Sequence, residues 1–286
     1  MKVICITDIH GYLETAINTL EKLEQETKLD LTNQRKWSGE HILVLNGDMF
    51  DRGSDNKKAL EWALNQPNTV YNIGNHEFFA LFPHAAREFL SEEYFAESSK
   101  KGLYWRDMSE DTRLELLEGV ADGKITAAYK KYQYSYSHAG LEKRSVEEIN
   151  KKLQKVGKKL LAGYKNQNYQ SIQHEIIETV QTENGTEIKS QYPELFDFRR
   201  NKEGKVSKGG VVWRRYDYLE NTEQAQVVGH TKGKYMRKRG GRLNPQKRGK
   251  TININTIRDH NAGRGSLAVT VEDEEKLDVY TYETED

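Results

Sequence analysis

Five short apolar runs in this chain each end on glycine with Asp, Asn or His nearby, and that recurrence constrains the fold more than any other feature. Val3–Ile6 runs into Thr7-Asp8-Ile9-His10-Gly11, and His41–Leu45 into Asn46-Gly47-Asp48-Met49-Phe50-Asp51-Arg52-Gly53. Thr69–Ile73 runs into Gly74-Asn75-His76-Glu77, Tyr132–Tyr136 into Ser137-His138-Ala139-Gly140, and Val227–Val228 into Gly229-His230-Thr231. Short β-branched or aromatic runs bounded by Gly and polar residues read as strands. Between the first runs, Leu13, Ile17, Leu20 and Leu23 recur at helical spacing, as do Ala59, Leu60, Ala63 and Leu64. Strand, helix, strand, helix is the grammar of an α/β chain. In open α/β sheets, sites are built just beyond the carboxyl ends of the strands, where these clusters fall.

The rest of the chain fits one domain spanning 1–286. Further strands are expected at Thr251–Ile257, Leu267–Val271 and Leu277–Tyr282, the last two forming a hairpin around a charged turn. Residues 78–131 and about 145–180 read as mostly helical, so helical insertions at about 78–131 and 141–210 are expected to cap the site. There is no internal repeat, and 4 Pro leave no Pro-rich linker.

Composition excludes some classes. No stretch approaches the roughly 18 apolar residues of a membrane span. Eight Phe, 16 Tyr and 4 Trp supply a core that a disordered chain lacks. The one cysteine, Cys5, lies inside Val3-Ile4-Cys5-Ile6 and reads as a buried strand residue. It is no nucleophile for phosphate, since no Arg follows it before Arg35. Met1-Lys2-Val3 leads straight into the first strand without a leader, and a soluble cytoplasmic protein is expected. Oligomeric state is not legible.

The residue types converge on a two-metal centre. Asp8 and His10 project to one side of an extended segment. Asp48 can bridge two ions through its two oxygens, and Asn75, His138 and His230 complete the second. Mixed carboxylate, imidazole and amide donors suit Mn²⁺, Fe or Zn²⁺. Two such ions about 3.5–4 Å apart can clamp a phosphoryl group.

Read in order, TDIHG, GDMFDRG, GNHE, SHAG and GHT resemble the motifs of calcineurin-like metallophosphoesterases of the phosphoprotein (serine/threonine) phosphatase type. Thr7 stands where the family has Gly, Ala139 where it has Gly, and Asn255 where relatives often have Asp. The resemblance implies an α/β fold of two packed sheets, a β-sandwich flanked by helices. It implies hydrolysis of phosphomonoesters by attack of a hydroxide held between two divalent ions, Mn²⁺ foremost. It assigns the first ion to Asp8, His10 and Asp48, and the second to Asp48, Asn75, His138 and His230. It makes His76 the acid that protonates the leaving alkoxide, oriented by Asp51. Arg52 and, from Trp213-Arg214-Arg215, Arg215 would bind phosphate, with Arg214 in reserve. Arg forks suit phosphate oxygens, and His suits proton donation near neutrality.

Plainer readings stand beside these. Asp51 has a lesser reading as a turn or cap residue, and Arg214 and Arg215 as surface charges. His41, His84, His174 and His260 read as structural histidines, and Glu77 as a turn residue. A binding module without catalysis would more naturally lack one of the ligands.

Substrate class divides on charge. The formal net charge is zero, yet residues 232–264 hold eleven Lys and Arg against the single acid Asp259. That segment starts directly after the His230 cluster. A phosphorylated protein is the first expectation. A nucleotide or nucleic acid, such as a dinucleoside tetraphosphate or an RNA end, is the alternative, with the basic segment as a polyanion platform.

Overall fold

A computed structural model describes residues 1–89, 103–141, 144–200, 206–216, 219, 224–231, 245–256 and 265–284. Its centre is a six-stranded mixed sheet. Parallel β1 (Val3–Ile6), β4 (Ile42–Asn46), β5 (Thr69–Asn72) and β6 (Ile125–Thr126) lie side by side, while β2 (Thr32–Asn33) and β3 (Lys36–Trp37) pair only with each other. The hairpin β16 (Gly265–Glu272) and β17 (Leu277–Thr284) adds antiparallel to β1. A five-stranded sheet faces it. There β8 (Ser135–Tyr136), β13 (Gln226–Val228) and β15 (Thr251–Asn253) are parallel, flanked antiparallel by β7 (Tyr129–Lys130) and β14 (Gln246–Arg248).

Strand periodicity sorts the two faces. Ile4, Ile6, Leu43 and Leu45 belong to one large apolar cluster with Ala16, Ile17, Leu20 and Leu23 of the Leu13–Thr27 helix. Val3, Cys5 and Val44 turn the other way, against Tyr136, Val227, Ile252 and Ile254 of the second sheet. Successive strand side chains alternate faces, so strands apolar on both faces can serve a helix layer and a sheet layer at once. Cys5 is fully buried, and burial pushes its thiol well above the ordinary range.

The expected β-sandwich flanked by helices is therefore present, and the expected strands occur with adjusted ends. The Tyr132–Tyr136 strand shrinks to Ser135–Tyr136, because the Tyr134 N–H donates to Glu272 Oε1 at 2.7 Å instead of to a ladder. The Thr251 strand stops at Asn253, whose side-chain oxygen takes the Asn255 N–H at 3.1 Å. Ile257 lies outside the described residues.

Helical structure follows β5, at Asn75–Leu81, Pro83–Phe89, Tyr104–Asp107 and Glu110–Asp122. The second helical region is Val146–Lys165 and Tyr169–Ile176. Ser109 caps the Glu110 helix by accepting from Thr112 N, and Ser145 caps the Val146 helix by accepting from Glu148 N. The latter buries Ile149, Leu153, Val156 and Leu160 at helical spacing. The two pack closely at Gly157, where a Cβ would sit 2.6 Å from Ala121 N.

One expectation is corrected. Helix does not extend through 141–210: β9 (Ile177–Thr182), β10 (Gly185–Ser190), β11 (Phe198–Arg200) and β12 (Val206–Gly209) form a separate antiparallel sheet. The local sequence explains it. Ile177-Glu178-Thr179-Val180-Gln181-Thr182 alternates in the strand pattern, and Glu183-Asn184-Gly185 turns it back, with Gly185 at φ +105°. The β6 and β7 strands likewise end the first helical stretch before 131. Of the basic segment 232–264, only 245–256 is described. It carries the β14–β15 hairpin, with Lys247, Arg248 and Lys250 exposed. The rest of the segment, His260 included, lies outside the described residues. Among the described residues, no helix is long and apolar enough to cross a membrane.

Candidate metal centre

All of the predicted cluster residues meet where β1, β4, β5, β8 and β13 end. The loops are tightly bent. Asp8, His10, Asp48, Asp51, Arg52 and His230 all take positive φ, between 51° and 81°. Left-handed backbone at non-glycine residues costs about 1–3 kcal/mol each and persists only where the surroundings enforce it. Main-chain bonds enforce it here: Asp8 N to Gly47 O, His10 N to Asp48 O and Gly11 N to Met49 O, at 3.0, 2.8 and 2.7 Å. Two glycines are needed for close approach rather than for φ. A Cβ on Gly74 would lie 2.3 Å from Asp48 Oδ1, and one on Gly229 2.2 Å from Asp8 Oδ2.

Two groups of possible metal donors share one carboxylate. His10, Asp48 and His76 form one, Asp48, His138 and His230 the other, with donor atoms within 4.8 Å of one another in each. Asp48 Oδ2 lies 3.4 Å from His138 Nε2 and 3.8 Å from both His10 Nε2 and His76 Nε2. Asn75 Oδ1 lies 3.1 Å from His138 Nε2 and 2.8 Å from His230 Nδ1. Asp8 Oδ1 stands 4.0 Å from His10 Nε2.

The donor set fits divalent ions because of what the far sides of the rings do. His138 Nδ1 faces Asn46 O at 3.0 Å, and His10 Nδ1 faces Phe50 O at 3.3 Å. A main-chain carbonyl holds the proton on Nδ1 and leaves the Nε2 lone pair aimed at the centre. Burial, then the charges of Arg52 and His76, push His10 well below its ordinary pKa. Burial, with the charges of His138 and Arg215 contributing, lowers His230 to about 3. Both are therefore neutral near pH 7 and able to ligate. Burial would raise Asp48, but the charges of His138, His76 and His10 outweigh it and hold the carboxyl well below the usual range.

A second arrangement lies against the first. His76 Nδ1 is 2.5 Å from Asp51 Oδ2, and Asp51 is fully buried. Burial would lower His76, but Asp48 and Asp51 outweigh it and raise its pKa. The turn or cap reading of Asp51 gives way to a buried ion pair. Arg52 Nη2 lies 3.4 Å from His76 Nε2. Arg214 is buried and donates to Gly209 O at 3.4 Å, whereas the charge of Arg215 bears on His230.

The model family for calcineurin-like phosphoesterases matches residues 1–232. The chain belongs to that family. This calcineurin-like phosphoesterase is accordingly a phosphoric ester hydrolase, and the family uses a pair of divalent ions. None of the curated proteins compared with it matches. Among solved structures, a cold-active protein tyrosine phosphatase is similar at TM-score 0.50 and 17% identity, over 97% of this chain and 78% of that one. A protein serine/threonine phosphatase from Saccharomyces cerevisiae gives 0.47 and 16%, over 100% and 81%. A protein described as a diadenosine tetraphosphatase gives 0.46 and 14%, over 98% and 93%. At 17% identity the first of these likenesses shows the fold alone.

Around the phosphoesterase's centre stand residues that motif reading left unassigned. Asn255 Nδ2 donates to Asp8 Oδ1 at 2.9 Å, so the Asn at that position orients a candidate ligand. The Thr7 hydroxyl lies 2.6 Å from Asp8 Oδ2, a contact that glycine would lack. Asn46 donates to Ser137 O at 2.9 Å and accepts from Asn72 Nδ2 at 2.9 Å, tying the ends of both sheets together. Asn46 adjoins Gly47 and was visible in sequence, but nothing there showed its partners.

Glu77 has the structural role expected of it, and an extensive one. Its carboxylate accepts from Asp48 N, Met49 N and Gly74 N at 2.9, 2.9 and 2.7 Å, and from the Tyr71 hydroxyl at 2.7 Å. It thus joins the loop bearing Asp48 to the turn bearing Asn75 and His76. Glu77→Ala strands four buried donors, and urea unfolding is expected to show a loss of about 3–5 kcal/mol. A loss under about 1 kcal/mol would mean that water replaces these bonds.

Proposed function

We propose that this phosphoesterase is a two-metal serine/threonine protein phosphatase. The observation that carries the reading is Asp48, shared between two groups of His and Asp with the His76–Asp51 pair alongside. Asp8, His10 and Asp48 would hold one ion, and Asp48, Asn75, His138 and His230 the other. When bound, the ions supply activation of the nucleophile and positive charge against the phosphoryl oxygens. Manganese is the reading for the metal, from the mixed donors.

The chain's own groups do the remaining work. Arg52, 3.4 Å from His76, and Arg215, whose charge bears on His230, would bind the phosphate oxygens, with Arg214 in reserve. His76 Nε2 carries the proton for the departing oxygen, and Asp51 fixes the ring through Nδ1. That acid favours an alkyl phosphomonoester, because a serine or threonine alkoxide is a poor leaving group and a phosphate leaving from an anhydride is not. We read 1–286 as one domain whose insertions shape access to the centre, and the buried free thiol of Cys5 suits a reducing, cytoplasmic setting.

Chelator tests the chemistry. Metal-stripped protein is expected to lose phosphatase activity and regain it with Mn²⁺, and normal turnover under chelator would overturn the two-metal reading. The excess of ten positive charges over 232–264 favours a second reading, a nucleotide or nucleic-acid phosphoesterase. A panel of phosphopeptide, dinucleoside tetraphosphate and 3′-phosphorylated or cyclic-phosphate RNA separates them. A preference for RNA ends that fades with salt would support the second.

A further inference from the structure

We propose that Arg113 is a positioning residue for the His76–Asp51 pair, acting through the main chain of Trp105. The inference rests on the general-acid reading of His76.

Asp51 has two oxygens and two tasks. Oδ2 engages His76 Nδ1, and Oδ1 accepts the Trp105 N–H at 3.1 Å. That donor comes from another part of the chain, the Tyr104–Asp107 helix, so the orientation of Asp51 depends on where that helix sits. Arg113, in the first part of the Glu110–Asp122 helix, sets its place. Its Nη2 donates to Trp105 O at 3.3 Å, and its Nη1 donates to Ala80 O. Ala80 belongs to Asn75–Leu81, the helix whose second residue is His76.

One planar guanidinium therefore ties the peptide that holds Asp51 to the helix that carries His76. A rigid fork suits this task, because both bonds are fixed by one plane. Ring packing adds to the frame: Phe79 lies 6.0 Å from Trp105 and 6.1 Å from His76 between centroids, and Phe50 lies 5.9 Å from Tyr104. Without the guanidinium, the Trp105 peptide loses the bond that ties it to the Asn75–Leu81 helix, and the donor to Asp51 Oδ1 is held less firmly. The imidazole is then free to tilt, and misplacement by about an ångström is enough to spoil a proton transfer.

The test is the dependence on leaving group, which a general loss of folded protein does not move. Arg113→Met is expected to lower kcat on an alkyl phosphate such as phosphoserine by about 10–100-fold, part of the roughly 10²–10⁴ an acid supplies. On nitrophenyl phosphate, whose leaving group needs no proton, the change is expected to stay within about threefold. Arg113→Lys, which keeps the charge but carries its N–H donors on a single nitrogen without the planar fork, is expected to fall between and decides the matter if the Met variant does not fold. In metal-free protein, the far-downfield Nδ1–H resonance of His76 is expected to weaken or vanish in Arg113→Met.

Equal losses on both substrates, or an unchanged resonance, would overturn the inference. His76→Asn separates the two layers of the argument. If it too shows no leaving-group split, the general-acid reading fails; if it does and the Arg113 variants do not, only the role of Arg113 fails.

Discussion

Asp48→Asn is expected to lower kcat/KM for any phosphomonoester by on the order of a thousandfold, good leaving groups included. The carboxylate has a place in both donor groups, so the change weakens both halves of the centre together. Three imidazole nitrogens lie 3.4 to 3.8 Å from its Oδ2. Replacing that carboxylate by an amide removes the negative charge that faces them and that both ions would share. A thousandfold corresponds to about 4 kcal/mol, in the range expected for charge stabilisation by bound ions. Metal content should fall with activity. Elemental analysis of the purified variant, beside circular dichroism to verify folding, is the decisive pair of measurements. A folded Asp48→Asn protein with its full metal complement and rate would remove Asp48 from the centre.

His76→Asn is expected to lower kcat by about 10²–10⁴ on alkyl phosphates and far less on nitrophenyl phosphate. The ring is 5% exposed and bonded at Nδ1 to a fully buried carboxylate, so its proton is held rather than shared with solvent. Metal content should stay near that of the unaltered protein, because Asn75 and His138 retain their own partners. The two substitutions thus differ in signature: one empties the centre, the other leaves it filled and spares good leaving groups. A His76→Asn variant that loses metal as Asp48→Asn does would recast His76 as a ligand. The geometry makes this a real alternative, since His76 stands in one donor group with His10 and Asp48.

Much of the candidate site was legible in the sequence, for a physical reason. Ligand chemistry restricts residue type severely, and sharp turns after strands require glycine nearby, so Asp8, His10, Asp48, Asn75, His138 and His230 advertise themselves. The strands Val3–Ile6 and Ile42–Asn46 were equally plain as unbroken apolar runs, because both of their faces pack into the core. The sheet at 177–209 was less so. Its first two strands, β9 and β10, are half-exposed and border a Lys-, Gln- and Glu-rich stretch that reads as helix until the Asn184-Gly185 turn is weighed.

What the sequence determined by itself was therefore the chemistry and the order of its parts: which residue types stand at the ends of which strands. What the tertiary structure decided was which groups share a partner. Asp48 faces three histidines, Asn255 reaches back to Asp8 across 247 residues, and Trp105 donates to Asp51 from 54 residues away. Local sequence fixes what a side chain can do within a turn or two. Contacts of long separation depend on how two sheets and their helices pack, and no residue carries that information alone.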